Sequence, residues 1–299
     1  MSFTVEFSSL TRKDLYGVGI GVTSQVVRIA DSNIVAKIPS LSPYMGSEFH
    51  DIEKRAYERL QGHPNILRCF GQSPPECTLL QGALLFEYHP NGTLKEHLGQ
   101  LNKYPGRNRW PYQAVSALAY VHSCHIVHGD LGLHNLLLRD DGEIVLCDFA
   151  GSGLDGKGSY VAHATRYSDP LCLKEYPDEQ NDVFALGTLL YELDQGRLLF
   201  DGLSDGEIDA RLRKRQFPDL SMISLPLRSV IEKCWTLPGY QASDALRELG
   251  MLCPIKRRDG SNLATELRRQ APIFQAALCI GILTVVALTW RAAFKKLQR

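Results

Sequence analysis

The stretch HGDLGLHN, residues 128–135, places an Asp, an Asn and two His close together, and the apolar run LLL follows it at once. A short polar cluster between apolar runs is usually a turn. Carboxylate, amide and imidazole groups are also groups that transfer protons or bind metal ions in enzymes. The cluster therefore indicates either an ordinary turn or the centre of a catalytic site.

Three more polar residues stand alone in apolar surroundings. Lys37 lies in NIVAKIP, Glu53 lies in EFHDIEKRAYERL, and Asp148 comes thirteen residues after Asn135 in IVLCDFAGSG. The glycine-rich segment GIGVTSQV, residues 19–26, would let backbone N–H groups approach phosphates without interference from a Cβ atom. Each feature alone has a simpler explanation, such as a solvated side chain or a glycine-rich hairpin. Their joint order along the chain matches that of a known family, which is described below.

The hydrophobic pattern predicts two regions of different secondary structure around these residues. VTSQVVRIA and NIVAKIP are β-branched runs on either side of a turn-type break and predict a hairpin, and apolar runs follow at ILRCFG and ALLFEY. EFHDIEKRAYERL has helical spacing of its apolar residues. Beyond residue 90 the pattern is mainly helical, in PYQAVSALAYVHS, DVFALGTLLYELDQG, LRSVIEKCW and SDALRELGML. We therefore predict an α+β fold in which a cleft for ligands separates a β-rich lobe from a larger α-rich lobe.

The ordered motifs resemble those of the eukaryotic protein kinase superfamily, over roughly residues 10–253. Their details are similar to divergent kinase-like proteins of fungi. The resemblance implies a bilobal protein-kinase-like fold, with an N-lobe at about residues 10–88 and a C-lobe at about residues 89–253. It also implies ATP and Mg²⁺ as cofactors, a protein as substrate, and transfer of the γ-phosphoryl group of ATP to a hydroxyl group.

The resemblance assigns catalysis to three residues and metal binding to two. Asp130 would accept the proton of the substrate hydroxyl. Lys37 would contact the α- and β-phosphates and pair with Glu53. Asn135 and Asp148 would hold Mg²⁺.

The nucleotide site implied by the resemblance surrounds the cleft. Gly19 and Gly21 match the first two glycines of the family's phosphate loop, with Ser24 in the place of the third, and Val26 would cover the adenine. Phe86 would be the bulky residue at the back of the adenine site, and the three residues after it would offer backbone groups to the base. The predicted nucleotide-binding residues are Gly19, Gly21, Ser24, Val26, Lys37, Phe86, Glu87, Tyr88 and His89.

Three substitutions separate this chain from the usual pattern near the predicted site. Gly129 replaces an Arg that pairs with a phosphate on the activation loop, so switching through that ion pair is not expected. Gly132 replaces a Lys that is directed at the γ-phosphate in serine/threonine kinases, which predicts slower chemistry. His134 or Arg166 could partly substitute for that Lys. Ala150 replaces the Gly that follows Asp and Phe in the family.

A fourth substitution lies further along the chain. Leu171 stands where the family has a Glu, and residues 236–243 contain no Arg that could have been its buried partner. Because both partners are absent, no buried charge is left unpaired. Asp182 resembles the family Asp that supports the backbone of the catalytic loop, which is residues 128–135 in this chain. These features predict a maintained kinase-like fold and say little about activity.

Two functional interpretations stay open on the sequence alone. One is an active protein kinase that modifies Ser or Thr. Tyr is the alternative target, because RYSDP also resembles a segment of tyrosine kinases. The other is a membrane-anchored pseudokinase that binds a nucleotide or a partner protein and acts as a scaffold. The enzyme is favoured by the presence of Lys37, Glu53, Asp130, Asn135 and Asp148. The scaffold is favoured by Ser24, Gly129, Gly132 and Ala150.

Charge and cysteine content argue against several other classes of protein. The chain has 33 basic and 33 acidic residues, so its overall charge does not indicate a nucleic-acid partner. Its eight Cys residues are scattered singly, without a C-x-x-C pair or a His at zinc-site spacing. Neither a disulfide framework nor a structural zinc site is predicted.

An apolar segment near the C-terminus is predicted to anchor the protein in a membrane. Residues 273–290 carry no charge, and as a helix they would be about 27 Å long, close to the ~30 Å core of a bilayer. A basic linker at 254–272 precedes this predicted transmembrane helix, and a short basic tail at 291–299 follows it. A buried terminal helix is the alternative. No signal peptide is evident, so the kinase-like region is expected to face the cytosol.

Overall fold

The computed structural model describes residues 5–21, 23–40, 46–172 and 174–250. These residues form the predicted α+β arrangement, with a β-sheet in the smaller lobe and mainly helices in the larger one. The basic linker, the predicted transmembrane helix and the basic tail lie outside the described residues. Within the described ranges, no helix combines the length and the apolar character that crossing a bilayer requires.

The smaller lobe is a five-stranded antiparallel sheet with the spatial order β1-β2-β3-β5-β4. Its elements are β1 (Leu15–Ile20), β2 (Ser24–Ile29), β3 (Ile34–Pro39), α1 (Gly46–Arg59), β4 (Cys69–Gln72) and β5 (Leu84–Glu87). The predicted hairpin is confirmed, because β2 pairs with β3 from Ser24 opposite Pro39 to Arg28 opposite Val35. Its turn includes Asp31 at φ +50°, a left-handed conformation that Asp tolerates better than most residues do.

Helix α1 packs one face on the smaller lobe's core. Phe49, Ile52 and Ala56 are buried, as their helical spacing predicts. The same face also buries Glu53, which is only 1% exposed, and Tyr57. A carboxylate at such a depth needs a partner of opposite charge.

The larger lobe surrounds one central helix. Its elements are α2 (Trp110–Ser123), β6 (Ile126–Val127), β7 (Leu136–Leu138), β8 (Ile144–Leu146), β9 (Gly153–Leu154), α3 (Glu179–Gln195), α4 (Asp205–Arg213), α5 (Leu227–Thr236) and α6 (Ala242–Gly250). Residues 182–193 of α3 are buried on every side, which is typical of a helix inside a core. Strands β6 and β9 pair with each other, as do β7 and β8, and the connections between these pairs carry Asp130, Asn135 and Asp148.

A buried carboxylate on α3 holds the catalytic loop. Asp182 is fully buried and accepts hydrogen bonds from the backbone N–H groups of His128, at 2.7 Å, and Gly129, at 2.9 Å. His122 Nε2 lies 3.0 Å from one carboxylate oxygen, and His163 Nε2 lies 3.1 Å from the other. Burial alone would raise the pKa of Asp182, but the two imidazoles lower it below its usual value. Asp182 is therefore an ionised group that ties four chain segments together.

Residues 148–171, which we call the activation segment, pack directly on the catalytic loop at Gly129. Gly129 has φ +82°, and a Cβ atom there would lie 1.8 Å from Ser159 Oγ and 2.4 Å from Ser159 Cβ. Ser159 is itself fixed, because its Oγ donates to the Gly151 carbonyl at 2.9 Å and its N–H donates to the Pro177 carbonyl at 2.8 Å. The activation segment thus occupies the space in which the family's Arg side chain would begin.

Two arginines hold the C-terminal end of the activation segment. Arg213 is the last residue of α4, and Arg215 follows two residues later. Arg215 forms an ion pair with Asp169 at 3.0 Å, and Arg213 Nη1 donates to the Pro170 carbonyl at 3.1 Å. Leu171, at the position of the missing Glu, is about half exposed. These surface contacts hold this end of the segment without a buried ion pair.

Adding a methyl group at Gly129 should destabilise the protein strongly. We expect Gly129→Ala to lower the free energy of unfolding by about 3 kcal/mol or more, because the new Cβ would collide with Ser159 and the backbone conformation disfavours Ala. Gly156→Ala is a matched control, since Gly156 has φ +80° but no atom within 4 Å of the position of a Cβ. It should cost only about 1 kcal/mol.

Urea unfolding of the two variants beside the parent measures this difference. Ser159→Gly, combined with Gly129→Ala, should recover part of the lost stability because it removes the colliding atoms. Equal losses in Gly129→Ala and Gly156→Ala would contradict the packing of Ser159 on the catalytic loop.

Candidate active site

A cavity of about 630 Å³ lies between the two lobes, and we call it the nucleotide cavity after the predicted nucleotide-binding residues that line it. Every predicted nucleotide-binding residue lines it, from the β1–β2 hairpin through Lys37 to the hinge, which is residues 87–89. Glu53 and Asp148 line it as well. Its volume is within the usual range for a small-molecule site. Asp130 does not line this cavity and faces a second one, described below.

Lys37 joins two carboxylates at the back of the nucleotide cavity. Its Nζ lies 2.8 Å from Glu53 Oε1, 2.7 Å from Glu53 Oε2 and 2.8 Å from Asp148 Oδ1. Burial would lower the pKa of Lys37, but the charges of Glu53 and Asp148 together raise it above its usual value. The same ammonium lowers the pKa of Asp148 against the opposing effect of burial. Lys37 is therefore a permanent cation, and Asp148 is an ionised carboxylate.

A row of aromatic rings in tilted and edge-to-face contact lies beside these charged groups. Tyr57 lies 4.8 Å from Phe86 and 5.1 Å from Phe149, and Phe149 lies 4.9 Å from His128, measured between ring centroids. The row joins α1, β5, the activation segment and the catalytic loop. Tyr57 is one helical turn after Glu53, and Phe149 follows Asp148, so these contacts help to position both partners of Lys37.

The backbone around Asp148 accommodates the substitution at Ala150. Left-handed conformations occur at Asp148, with φ +65°, and at Gly151, with φ +86°, whereas Ala150 has no positive φ. The Ala150 N–H points to Asp148 Oδ1 at 3.4 Å. Ala150 therefore meets the local conformational requirement, and glycine is needed one residue later.

Asp130 and Asn135 lie next to each other in the catalytic loop. Asn135 Nδ2 donates to the Asp130 backbone carbonyl at 2.8 Å and, more weakly, to Asp130 Oδ2 at 3.3 Å. His134 Nε2 lies 3.1 Å from the same carboxylate oxygen of Asp130. Burial would raise the pKa of Asp130, but the hydrogen bond and charge of His134 lower it below its usual value. Asp130 is therefore an ionised carboxylate at neutral pH, which is the state that a proton acceptor requires.

His134 also explains the glycine at position 132. A Cβ atom at Gly132 would lie 2.7 Å from His134 Cε1 and 2.8 Å from His134 Nδ1. The backbone of Gly132 is extended, with φ 178°, so the obstacle is the imidazole ring and not the backbone conformation. The ring of His134 thus occupies the space that the first side-chain atoms of the family's Lys would need.

Asn135 and Asp148, the two predicted Mg²⁺ ligands, each have a side-chain oxygen that accepts no hydrogen bond within the described residues. Asp148 lines the nucleotide cavity, whereas Asn135 is buried and does not line it. Asn135 uses its Nδ2 group on Asp130, so its Oδ1 stays open as a ligand, and Asp148 receives Lys37 and Ala150 on Oδ1 and leaves Oδ2 open. In the part of the chain that the structure describes, no cluster of three or more His, Cys, Asp or Glu residues could hold a metal by itself. Phosphate oxygens and water would complete the octahedral shell that Mg²⁺ prefers.

The glycine motif lies in the hairpin formed by β1 and β2. Gly19 lies opposite Val26, and the Gly21 N–H donates to the Ser24 carbonyl at 2.8 Å across the turn. A Cβ at Gly19 would meet only Val26 Cβ, at 3.8 Å, so the protein itself leaves space above this glycine. At the hinge, the Glu87 N–H donates to the Arg68 carbonyl and the Tyr88 N–H donates to the Asn33 carbonyl, both at 3.0 Å. These bonds fix the hinge backbone beside the cavity.

Several residues of the site were not found by sequence reasoning. His163, Tyr57 and the two arginines at 213 and 215 carry no local motif, because each acts through a partner distant in the chain. His134 was a candidate on the sequence, and the structure adds its contact with Asp130. Arg166, the other candidate, does not line the nucleotide cavity.

Comparison with known proteins agrees with the geometry. The family model described as "Protein kinase domain" matches residues 13–241. The chain is 30% identical over 223 residues to serine/threonine-protein kinase ppk25 of Schizosaccharomyces pombe, covering 70% of this chain and 52% of that protein. It is 28% identical over 202 residues to Aurora kinase A-B of Xenopus laevis, covering 60% and 49%.

A third relative is serine/threonine-protein kinase SIK1 of Mus musculus, 30% identical over 242 residues, which are 77% of this chain and 28% of that protein. The chain thus spans about half or less of the length of these relatives. Because the family match covers most of the chain and includes both lobes, the chain belongs to the protein kinase family.

Proposed function

We propose that this chain is an ATP-dependent protein kinase that transfers the γ-phosphoryl group of ATP to a Ser or Thr hydroxyl of a protein. The observation that carries the proposal is the closed set of contacts around Lys37, which links Glu53 and Asp148 in the nucleotide cavity. An ionised Asp130 in the adjoining catalytic loop adds the proton acceptor. The three relatives include two that are named serine/threonine-protein kinases, which supports Ser or Thr as the target.

The proposed mechanism of phosphoryl transfer follows from the positions and charges of the site residues. Lys37 would hold the α- and β-phosphates, and its own position is fixed by Glu53. Asp130 would orient the substrate hydroxyl and take its proton as the oxygen bonds to the γ-phosphorus and the bond to the β-phosphate oxygen breaks. Asn135 and Asp148 would hold Mg²⁺, which neutralises phosphate charge when bound. Catalysis would then rest on positioning and electrostatic stabilisation.

A transfer assay with two variants tests this function. We expect the purified protein to move radiolabel from γ-labelled ATP to a generic protein substrate in the presence of Mg²⁺. Asp130→Asn should lower kcat by about 10²- to 10⁴-fold, the usual contribution of a general base, with a much smaller effect on ATP binding. Asp148→Asn should weaken the Mg²⁺ dependence of ATP binding, because Asn removes the charge that would hold the ion.

The scaffold interpretation makes the opposite prediction in the same assay. A folded protein that binds ATP but transfers no label would support a pseudokinase and contradict the proposed activity. Thermal unfolding with and without Mg²⁺ and ATP reports binding separately from turnover. Equal loss of ATP binding and turnover in Asp130→Asn would contradict the role given to Asp130.

A pair of substitutions tests whether His134 compensates for the missing lysine. His134→Ala should lower kcat by about tenfold, because it removes the hydrogen bond to the proton acceptor. Gly132→Lys alone should not raise kcat, since the new side chain would collide with the His134 ring. The double variant Gly132→Lys, His134→Ala should recover most of the lost activity.

Gly132→Met in the His134→Ala background is the matched control, because Met resembles the lysine stem without its charge. Steady-state kinetics at saturating ATP compare the four variants with the parent. Rescue by Met as complete as rescue by Lys would contradict an electrostatic compensation.

We also propose that residues 273–290 anchor the protein in a membrane, with the kinase domain in the cytosol. The support is the uncharged apolar run and its basic flanks. Removing residues 270–299 should release the protein from the membrane fraction of a cell lysate. In the full chain, Ile280→Lys with Val285→Lys should do the same, because each central Lys costs about 2.5–3.5 kcal/mol on insertion.

The matched control for the anchor is Ile280→Leu with Val285→Leu, which keeps the segment apolar and should leave the protein in the membrane fraction. Persistence of the double-Lys variant in that fraction would point to another means of attachment and contradict this proposal.

A further inference from the structure

A second cavity, of about 440 Å³, lies on the far side of His134 from the nucleotide cavity. We call it the acceptor groove, because Asp130 lines it and the substrate hydroxyl must reach Asp130 there. His134 is the residue that lines both cavities. The acceptor groove is lined by Lys95, Asp130, Leu133, His134, Ala162, Ala164, Arg166, Tyr167 and Leu198.

The side chains around the acceptor groove carry more positive than negative charge. Lys95 and Arg166 are its two basic residues apart from histidine, and Asp130 is its one carboxylate. Among the residues that the structure describes, neither Lys95 nor Arg166 has an acidic side chain as an ion-pair partner. The carboxylate of Asp130 already has His134 as a neighbour and would be engaged by the hydroxyl. An incoming chain therefore meets two cations that form no ion pair with an acidic side chain among the described residues.

Two acidic residues lie close to these cations without forming an ion pair with them. Glu96, next to Lys95, lines the nucleotide cavity and receives the Thr93 hydroxyl at 3.2 Å. Glu192 is fully buried, where its oxygens accept the Leu199 N–H, at 2.9 Å, and the Tyr167 hydroxyl. Burial raises the pKa of Glu192 to about 7 and outweighs the charge of Arg166, which lowers that pKa, so Glu192 offsets Arg166 only in part.

Arg166 is also held in place before any substrate binds. Its Nη1 donates to the Leu199 carbonyl, and its own carbonyl accepts a hydrogen bond from Thr188 Oγ1 at 3.1 Å. One donor of the guanidinium is therefore used for anchoring, and others stay open. A fixed guanidinium loses little further freedom when it binds an anion.

A nucleotide phosphate is the competing partner for the two cations. Neither Lys95 nor Arg166 lines the nucleotide cavity, whereas Lys37 does. The two cations thus lie where the protein segment that carries the acceptor hydroxyl would bind.

We propose that the protein segment phosphorylated by this kinase carries an anionic side chain, either a carboxylate or a phosphate, close to the acceptor hydroxyl and in contact with Lys95 and Arg166. This inference rests on the proposed kinase function and adds the class of substrate.

Matched peptides test the charge preference. Each has one Ser flanked by the same apolar residues, and the neighbouring positions carry Glu, Gln, Lys or phosphoserine. With the full chain in detergent, we expect kcat/KM for the Glu peptide to exceed that for the Gln peptide by at least about threefold, as is reasonable for partly exposed ion pairs. The preference should shrink between low and high salt. The phosphoserine peptide distinguishes the two sources of negative charge.

Charge reversal locates the preference on the protein. Lys95→Glu should lower the ratio of kcat/KM for the Glu peptide to that for the Lys peptide by about tenfold or more, since it turns an attraction into a repulsion. Lys103→Glu is the matched control, because Lys103 is an exposed lysine that does not line the groove, and it should leave this ratio unchanged. Arg166→Gln should lower the ratio as well.

Three results would overturn the proposal. One is measurable transfer with equal kcat/KM for the Glu, Gln and Lys peptides, which would leave the kinase function intact. Another is an unchanged ratio in both Lys95→Glu and Arg166→Gln. The third is that Lys95→Glu and Arg166→Gln change only the KM for ATP, which would mean that the two cations bind the nucleotide.

Peptide binding, measured by fluorescence anisotropy, separates this inference from the kinase function. If no substrate is phosphorylated, the proposed function fails, but tighter binding of the Glu peptide that depends on Lys95 would still support the charge selectivity of the groove. Equal binding of all four peptides would overturn it.

Discussion

The fully buried carboxylate of Asp182 is the constraint on which the arrangement of the site depends. Burying an ionised group is costly unless hydrogen bonds replace the water it loses. Asp182 obtains them from the backbone of residues 128 and 129 and has imidazoles from α2 and the activation segment beside it. Because these groups must converge to solvate one charge, the catalytic loop and the activation segment have little freedom to move apart. The position of Asp130, two residues after His128, follows from this.

The substitutions in the kinase motifs are matched by neighbouring changes. At position 129 the space of the family's side chain is filled by Ser159, and at position 132 it is filled by His134. At the end of the activation segment, Asp169 and Arg215 form a surface pair where the family has a buried one. In each case the missing side chain leaves neither a cavity nor an unpaired charge, which are the usual causes of large destabilisation. A glycine at a motif position can therefore mean that another side chain fills the same space. By itself such a glycine is weak evidence for loss of activity.

Much of the fold was predictable because its signals are local. The β2–β3 hairpin and helices α1, α2, α3 and α5 follow from β-branched runs and helical spacing. Helix α4 was missed, since only Ile208 and Leu212 of this nine-residue helix are buried, although Ser204 and Glu207 form a capping box that marks its start. The contacts of His163 and Ser159 could not be predicted, because they join residues that come together only when the activation segment folds over the catalytic loop. Periodicity carries no information about such contacts.

The distribution of charge on the two sides of His134 connects these contacts to chemistry. In the nucleotide cavity, Glu53 and Asp148 outnumber the single ammonium of Lys37, and the open oxygen of Asp148 favours a divalent cation there. In the acceptor groove, Lys95 and Arg166 outnumber Asp130. A divalent cation bound together with the nucleotide, and an anionic protein segment, would each complement the charge of its own side. Asp130 lines the acceptor groove beside His134, which lowers the pKa of its carboxylate. If the chain acts as proposed, the ring that replaces a lysine therefore lies between two binding sites of opposite charge and contacts the carboxylate that would accept the proton.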